Sequence, residues 1–138
     1  MTSDNAGKGE NVVRQTLARL RSINGLISAA LVEPDSAHVV ETTSAGPTAT
    51  TVAAGASDVF QVISLMTASL GDPDELEDVI ITLGRRHHVI TPLPAAGANG
   101  LILVVMLDRA RTNLALARQQ LRALGPLLEA ATVPSRVS

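Results

Sequence analysis

The sequence predicts an α/β (α+β) domain in which a five-stranded antiparallel sheet carries one helix on one face and two on the other. Three observations support this fold class. Segments with helical and with strand-like patterns follow one another in the order αββαβββα, and residues 101–107 are seven consecutive apolar residues. The composition is aliphatic, because 46% of the 138 residues are hydrophobic but only one is Phe and none is Tyr or Trp.

The first helix is predicted over residues 10–23, where Val13, Leu17 and Leu20 recur at helical spacing. Asn24-Gly25 ends it, since glycine readily adopts the left-handed conformation of a helix cap. Strands at 26–32 and 37–43 follow as a hairpin, because the Pro-Asp pair between them suits a type I turn.

The remaining elements follow in order, and the two chain ends are expected to lie outside the domain. The predicted elements are a helix at 48–70, strands at 75–83, 87–92 and 101–107, and a helix at 110–131. A strand without alternation is covered on both faces, so the strand at 101–107 should be central. Residues 1–9 are expected to form a flexible arm, residues 10–131 one domain, and residues 132–138 a flexible tail.

The composition excludes several classes of function. Without cysteine there is no disulfide, thiolate metal site or cysteine nucleophile. A net charge of -2 and the presence of only one aromatic residue argue against nucleic-acid binding. His87 and His88 are neighbours on a predicted strand and point to opposite faces, so they cannot chelate one metal ion. With no phosphate-binding loop and no nucleophile motif, we expect neither an enzyme nor a cofactor.

The second helix carries the pattern that is most informative about function. Val52, Ala56, Val59, Ile63, Met66 and Leu70 form a stripe predicted to face the sheet. The opposite side holds Ala54, Ser57, Gln61, Ser64 and Ala68, which are small or neutral. A solvated helix face normally carries Glu, Lys and Arg, so this face predicts a surface that another protein covers, although a bland solvated face is the alternative.

Membrane insertion is not expected. Gly46, Pro47 and Asp58 interrupt the least charged stretch, residues 42–70, which argues against a spanning helix. The polar N-terminus, residues 1–10, lacks the apolar run of a signal peptide, so a cytoplasmic location is expected.

Arginines on the first and last helices form a second candidate surface. Arg14, Arg21, Arg111, Arg118 and Arg122 lie beside the predicted buried faces of these helices. If both helices cover one face of the sheet, these arginines would make a basic side that docks an acidic partner. The alternative is that they only solvate that face.

The stretches RLRSINGLISAALVEPDSAHVV, DVIITLGRRHHVITPL and LILVVMLDRARTNLALARQQLRAL, with a neutral helix after the first, resemble the roadblock/dynein light chain family. The resemblance covers residues 11–128. The sequence departs from the family pattern at two places. Pro34-Asp35-Ser36 stands where the family commonly has Asp-Gly, and Ala115 stands where Gly often follows Asn-Leu.

The resemblance implies a homodimer in which the middle helices pair and edge strands join the two sheets. The implied dimer or partner interface is Ala54, Ser57, Asp58, Gln61, Ser64, Leu65, Ala68, Glu77 and Val79. It also implies a bacterial, actinobacterial-type signalling partner: a small Ras-like GTPase that the chain regulates or activates, and a sensor-kinase-like protein. Two other functions stay open, namely a structural adaptor for a sensor-kinase-like complex without effect on GTP hydrolysis, and a small-ligand sensor with a pocket near residues 95–100.

Overall fold

In the computed structural model, the described residues are 11–44, 46–71 and 75–132. The first helix, α1, comprises residues 11–18 and continues as a 3-10 turn, Arg19–Ser22. The other elements are β1 (Leu26–Val32), β2 (Val39–Thr42), α2 (Pro47–Ser69), β3 (Val79–Thr82), β4 (Arg86–Leu93), β5 (Leu101–Asp108) and α3 (Leu114–Ala131). The predicted arm, residues 1–9, and residues 133–138 of the predicted tail lie outside the described residues.

The five strands form one sheet in the order β2-β1-β5-β4-β3, and every neighbouring pair is antiparallel. β5 is the central strand, and all of its residues from Leu101 to Leu107 are buried. The predicted fold class and the central position of the apolar run are therefore confirmed. A strand of alternating pattern could not occupy this position, because both of its faces are covered by helices.

The helices divide the core into two unequal parts. α1 and α3 cover one face with a large aliphatic cluster that includes Leu17, Leu103, Leu121 and Leu128. α2 covers the other face through a smaller cluster built around Ala53, with Ala56, Ile90, Ile102 and Val104. The fully buried side chains of α2 in this cluster are alanines, and Val52, Val59 and Phe60 pack against it partly buried.

Gly25 joins α1 to β1 in a backbone conformation that favours glycine, with φ of 87°. A Cβ atom at this position would lie 2.1 Å from Thr112 Oγ1, and the Gly25 carbonyl accepts a hydrogen bond from Asp108 N at 2.7 Å. The cap predicted at this residue is therefore also the point where β1 joins the end of β5.

The loop between β1 and β2 is longer than the predicted type I turn. Glu33 N donates to His38 O at 2.9 Å, and Ala37 N donates to Glu33 O at 2.8 Å. Ala37 adopts φ of 62°, which is the left-handed region. The loop therefore reaches its left-handed residue without glycine and delays the start of β2 from residue 37 to Val39.

The other differences concern the ends of elements. β3 begins at Val79 rather than residue 75, and α3 begins at Leu114 rather than residue 110. Asn113 caps α3 by accepting a hydrogen bond from Leu116 N at 3.1 Å. Thr132, predicted to begin the tail, caps the other end of α3 and accepts from Gly97 N at 3.1 Å through its carbonyl.

Candidate interaction surface on helix α2

α2 exposes four large apolar side chains along its C-terminal half. The exposed fractions are 66% for Val62, 70% for Leu65, 52% for Met66 and 72% for Leu70. Leu65 and Met66 follow Val62 by three and four positions, and Leu70 follows Met66 by four, so the residues share one side of the helix, and we call them the apolar α2 face. Contiguous exposed apolar surface on a small domain marks a site of interaction with another molecule.

The apolar α2 face is larger than the sequence predicts, because Met66 and Leu70 do not face the sheet. The fully buried residues of α2 are Ala53, Ala56 and Ser57, all in its N-terminal half. The C-terminal half of α2 turns a different set of residues toward the domain, namely the half-buried Phe60, Ile63, Ser64 and Thr67. The contact face is therefore rotated toward Ser57 and Ser64, and the predicted direction of Met66 and Leu70 is wrong.

The structure also corrects the predicted position of Ser57, which is only 3% exposed and is not on the outer face. Its hydroxyl donates a hydrogen bond to the carbonyl of Pro34. Gln61 Nε2, one turn later, donates to the same carbonyl at 2.7 Å. These two polar residues attach α2 to the loop between β1 and β2, so they position the helix rather than offer a contact surface.

The other predicted interface residues of α2 divide into two groups. Ala54, Asp58, Leu65 and Ala68 are exposed, as predicted. Ser64 is half-buried beside Phe60 and Thr67, in a groove that also contacts Pro92. In its C-terminal half, the exposed side of α2 is therefore more apolar than the sequence predicts.

The two interface residues predicted on and before β3 occupy the edge of the sheet. β3 is the outermost strand beyond β4. Val79 is half-buried and packs against the core beneath α2. Glu77 is exposed and its carboxylate accepts a hydrogen bond from Arg122 Nη2 at 3.0 Å. An edge strand offers unpaired backbone groups to another strand, which is compatible with sheet-to-sheet pairing.

By length and composition alone, α2 could cross a membrane, contrary to the sequence expectation. It is the one such helix among the described residues, and 17% of its most apolar window is buried within the protein. A helix that covers a core is mostly buried, so α2 carries more apolar surface than this domain itself uses.

The predicted basic surface is largely neutralised by ion pairs. Arg118 Nε and Nη2 bind the two carboxylate oxygens of Asp78 at 2.8 and 3.2 Å, and these hydrogen bonds and the charge of Asp78 raise the pKa of Arg118. Arg122 pairs with Glu77, and Arg14 Nε lies 3.7 Å from a Glu41 oxygen.

Two predicted basic residues, Arg21 and Arg111, are exposed and form no ion pair among the described residues. Three of the five predicted arginines are therefore already paired with carboxylates of this chain, and the use of this surface by an acidic partner stays a prediction. Their carboxylate partners are Glu41 of β2 and Glu77 and Asp78, which precede β3.

The two adjacent histidines lie on opposite sides of β4, as the strand pattern predicts. His87 is 7% exposed, and its ring Nδ1 lies 3.3 Å from Thr82 Oγ1. His88 faces α2, and its buried Nε2 has no hydrogen-bond partner among the described residues. Burial, and secondarily the charge of Arg86, lower the pKa of His88 below 6.5. The sequence does not predict this missing hydrogen-bond partner, because the surroundings of the His88 ring depend on how α2 packs against β4.

Two cavities bear on the expectation of a small-ligand site. The cavity beside the loop at residues 95–100 measures about 130 Å³ and is lined by Glu33 and Asp35. A second cavity of about 250 Å³ lies beneath α2 and is lined by Val52, Val59 and His88. The larger space for an apolar molecule is therefore under the helix rather than beside the predicted loop.

No protein-family model matches this sequence, and no curated protein matches it. Solved structures match it over nearly its whole length. A Roadblock/LC7 domain from Streptomyces avermitilis has 18% identity and a TM-score of 0.71, covering 86% of this chain and 92% of that chain. The gliding protein MglB from Thermus thermophilus has 13% identity and a TM-score of 0.74, covering 90% of each chain. The chain has the roadblock fold.

A further roadblock-fold neighbour is MglC from Myxococcus xanthus, with 15% identity and a TM-score of 0.54 over 88% of this chain and 98% of that chain. The structural likeness confirms the fold that the sequence resemblance implies. In this roadblock fold the apolar α2 face and the β3 edge lie on the exterior of the protomer. Their use as an interface stays a prediction.

Proposed function

We propose that this roadblock-fold protein is a homodimeric, non-catalytic interaction module that regulates or scaffolds a small Ras-like GTPase in the cytoplasm. The observation that carries the proposal is the apolar α2 face, Val62, Leu65, Met66 and Leu70, each more than half exposed. The family resemblance supplies the partner class, and the solved neighbours MglB and MglC support a role in such a system.

The proposed homodimer buries the apolar α2 face against a second copy. Removing apolar surface from water contributes roughly 25 cal/mol per Å², so four large side chains on each protomer provide a substantial driving force. Asp58, the single charged residue of α2, lies one turn before Val62 on the same side of the helix, so it would stand at the polar end of the seam.

The proposed action on the GTPase is surface complementarity. A dimer that binds one arrangement of the GTPase switch regions more tightly than the others shifts their population toward that arrangement. This mechanism needs no catalytic group from the roadblock protein. The effect on hydrolysis depends on which arrangement is favoured.

Affinity purification from source cells, followed by a GTP hydrolysis assay on the recovered partner, tests this function. We expect the wild-type protein to recover a small Ras-like GTPase and to change its hydrolysis rate. Recovery without a change in rate would favour the adaptor alternative, and recovery of no GTPase would contradict the proposal. The neighbouring structures do not support a sensor-kinase-like partner, and this proposal does not include one.

The cavity beneath α2 favours a second candidate function, a sensor of a small apolar molecule. The unpartnered Nε2 of His88 could bond a hydroxyl or carbonyl group of such a molecule. A rise in melting temperature with small apolar alcohols, absent in a His88→Leu variant, would support this function.

A further inference from the structure

Three arginines lie together at the end of the sheet where the hairpin between β3 and β4 meets the end of β5. The sequence analysis predicts no site there. Arg85 and Arg86 belong to the hairpin between β3 and β4, and Arg109 follows β5. Together with Ile27, Leu83 and Asp108 they line an open groove, which we call the arginine groove. None of these three arginines forms an ion pair with a carboxylate in the described ranges 11–44, 46–71 and 75–132.

The arginine groove is held in place by backbone hydrogen bonds. Arg109 N donates to Arg85 O at 3.0 Å, and Leu83 N donates to Arg86 O at 2.8 Å. Arg109 Nη1 also donates to Leu83 O at 3.3 Å. The hairpin and the end of β5 are therefore tied together, so the three guanidinium groups project from a fixed framework.

The one carboxylate in the groove does not cancel this charge. Asp108 Oδ1 accepts a hydrogen bond from Ala110 N at 3.0 Å, which fixes the turn after β5. Three guanidinium groups therefore stand against one carboxylate, in a chain whose net charge is -2. Arginine binds carboxylates with two parallel hydrogen bonds, so the groove is suited to acidic side chains.

The groove also presents apolar surface between its charges. Ile27 is 47% exposed and Leu83 is 41% exposed. The pairing of β1 with β5 shifts register between Leu26 and Ser28, so Ile27 lies at a β-bulge. A bulge changes the direction of a side chain, which explains why a β-branched residue of β1 is exposed here rather than packed.

We infer that the arginine groove docks an acidic segment of a partner protein in which carboxylates flank an aliphatic side chain. The carboxylates pair with Arg85, Arg86 and Arg109, and the aliphatic group packs between Ile27 and Leu83. The inference rests on the proposed function, because it describes how an interaction module binds a partner. The groove lies at the opposite end of the sheet from the groove formed by Phe60, Ser64 and Pro92 under the C-terminal half of α2.

The chemistry of the groove favours a protein segment over an anionic membrane. Attachment to anionic lipids through charge typically uses four to eight clustered basic residues, whereas the groove has three in a concave surface. A concave surface with both charges and aliphatic groups is matched by a folded loop or a peptide.

The test uses the full chain and a short synthetic peptide in which aspartates flank a pair of leucines, with a second peptide that carries asparagines in place of the aspartates. Backbone amide shifts in NMR locate the binding, and fluorescence anisotropy gives the affinity. We expect amide shifts at Ile27, Leu83, Arg85, Arg86 and Arg109. The asparagine peptide should bind about tenfold more weakly than the aspartate peptide, and high salt should weaken the aspartate peptide by a similar factor.

A matched pair of variants separates the groove from general electrostatic attraction. Arg85→Glu with Arg86→Glu should weaken the aspartate peptide at least about tenfold. Arg19→Glu with Arg21→Glu makes the same change in net charge at exposed positions of the turn after α1 and should bind as wild type does. Equal loss in both variants, or shifts elsewhere on the protein, would overturn the inference.

Two further measurements separate peptide docking from membrane binding and from dimerisation. Sedimentation with phosphatidylserine vesicles that is lost in the Arg85→Glu, Arg86→Glu variant, without binding of the aspartate peptide, would overturn the inference in favour of a membrane. Light scattering of the same variant should show an unchanged oligomeric state. A monomeric wild-type protein that still binds the peptide through the groove would contradict the proposed homodimer while supporting this inference.

Discussion

Gly25 occupies the position where a single methyl group has the largest expected effect on folding. Its φ of 87° is unfavourable for any residue with a Cβ, and that Cβ would lie 2.1 Å from Thr112 Oγ1. Gly25→Ala should therefore lower the free energy of unfolding by about 2–4 kcal/mol, from backbone strain and overpacking together. Chemical denaturation measures this difference.

Gly84→Ala is the matched control for Gly25. A Cβ at Gly84 meets no atom within 4 Å, and its φ lies outside the left-handed region. We expect its free energy of unfolding to stay within about 0.5 kcal/mol of wild type. A Gly25→Ala protein as stable as the Gly84→Ala protein would show that the end of α1 does not need this conformation.

His88 should make the stability of the protein fall in mild acid. Burial first, and the charge of Arg86 second, lower its pKa below 6.5 in the folded state. The unfolded chain therefore binds a proton at a pH where the folded chain does not, so stability is complete above about pH 6.5 and is lost as pH falls toward the folded pKa. The melting temperature of wild type should decline over this interval.

His88→Leu should reduce that decline by a few degrees, because leucine does not titrate and fits among Val52, Val59 and Ile90. His38→Leu, at an exposed position, controls for loss of an imidazole from the surface. Melting curves from about pH 7.5 to 5 provide the comparison. A decline in His88→Leu as steep as in wild type would assign the acid sensitivity to other groups.

At the level of elements, patterns that depend on immediate neighbours predict the structure well. The unbroken apolar run at residues 101–107 correctly predicts a central strand, since no alternating strand could be covered on both faces. The face that α2 turns toward the sheet is a different matter. The spacing predicts that Met66 and Leu70 face the sheet, but both are more than half exposed, because the rotation of a helix on its sheet depends on strands that are distant in sequence.

The central position of β5 makes Val104 a sensitive test of the fold. Val104 is 3% exposed and lies between Ala30 of β1 and Ile90 of β4. Val104→Asp would bury a carboxylate without a partner and should cost several kcal/mol, comparable to the whole stability of a small domain. We expect loss of cooperative melting or a large fall in melting temperature.

Val40→Asp is the control for Val104, because Val40 is 40% exposed on the edge strand β2. Its melting temperature should change by only a few degrees. A Val104→Asp protein that melts cooperatively near the wild-type temperature would mean that β5 is not the buried strand described here.

For the whole molecule, long-range pairing decides which charges are available. The sequence places arginines on α1 and α3 correctly, but Arg118 and Arg122 find carboxylates 40 and 45 residues away, on the segment that leads into β3. No local pattern contains this information. The same limit explains why Arg85, Arg86 and Arg109, which separate segments bring together, are absent from the predicted sites.

Val62 and Leu65 are the α2 residues at which a substitution changes the exposed surface without disturbing the protomer. Gln61 and Ser64 face outward on a helical wheel, but Gln61 bonds Pro34 O and Ser64 is half-buried. Glutamates there would disturb the attachment of α2 as well as its surface. Val62 and Leu65, at 66% and 70% exposure, change the surface alone.

Val62→Glu with Leu65→Glu should convert the proposed homodimer to a monomer without unfolding it. In a seam formed by two copies of α2, four carboxylates would lose hydration and repel one another, and several kcal/mol of association free energy should be lost. In the monomer both side chains remain in water, so melting of the protomer should change little. Light scattering should give half the wild-type mass at the same concentration.

Leu116→Glu with Leu127→Glu provides a control of the same chemistry on the other side of the sheet. These leucines of α3 are 48% and 44% exposed, so the substitutions remove less exposed apolar surface than those on α2 but add the same charge. If α2 forms the seam, this variant remains a dimer, because its new charges stay in water. Dissociation by the α3 substitutions, with the α2 variant still dimeric, would assign the interface to α3 and would leave the apolar α2 face for another partner.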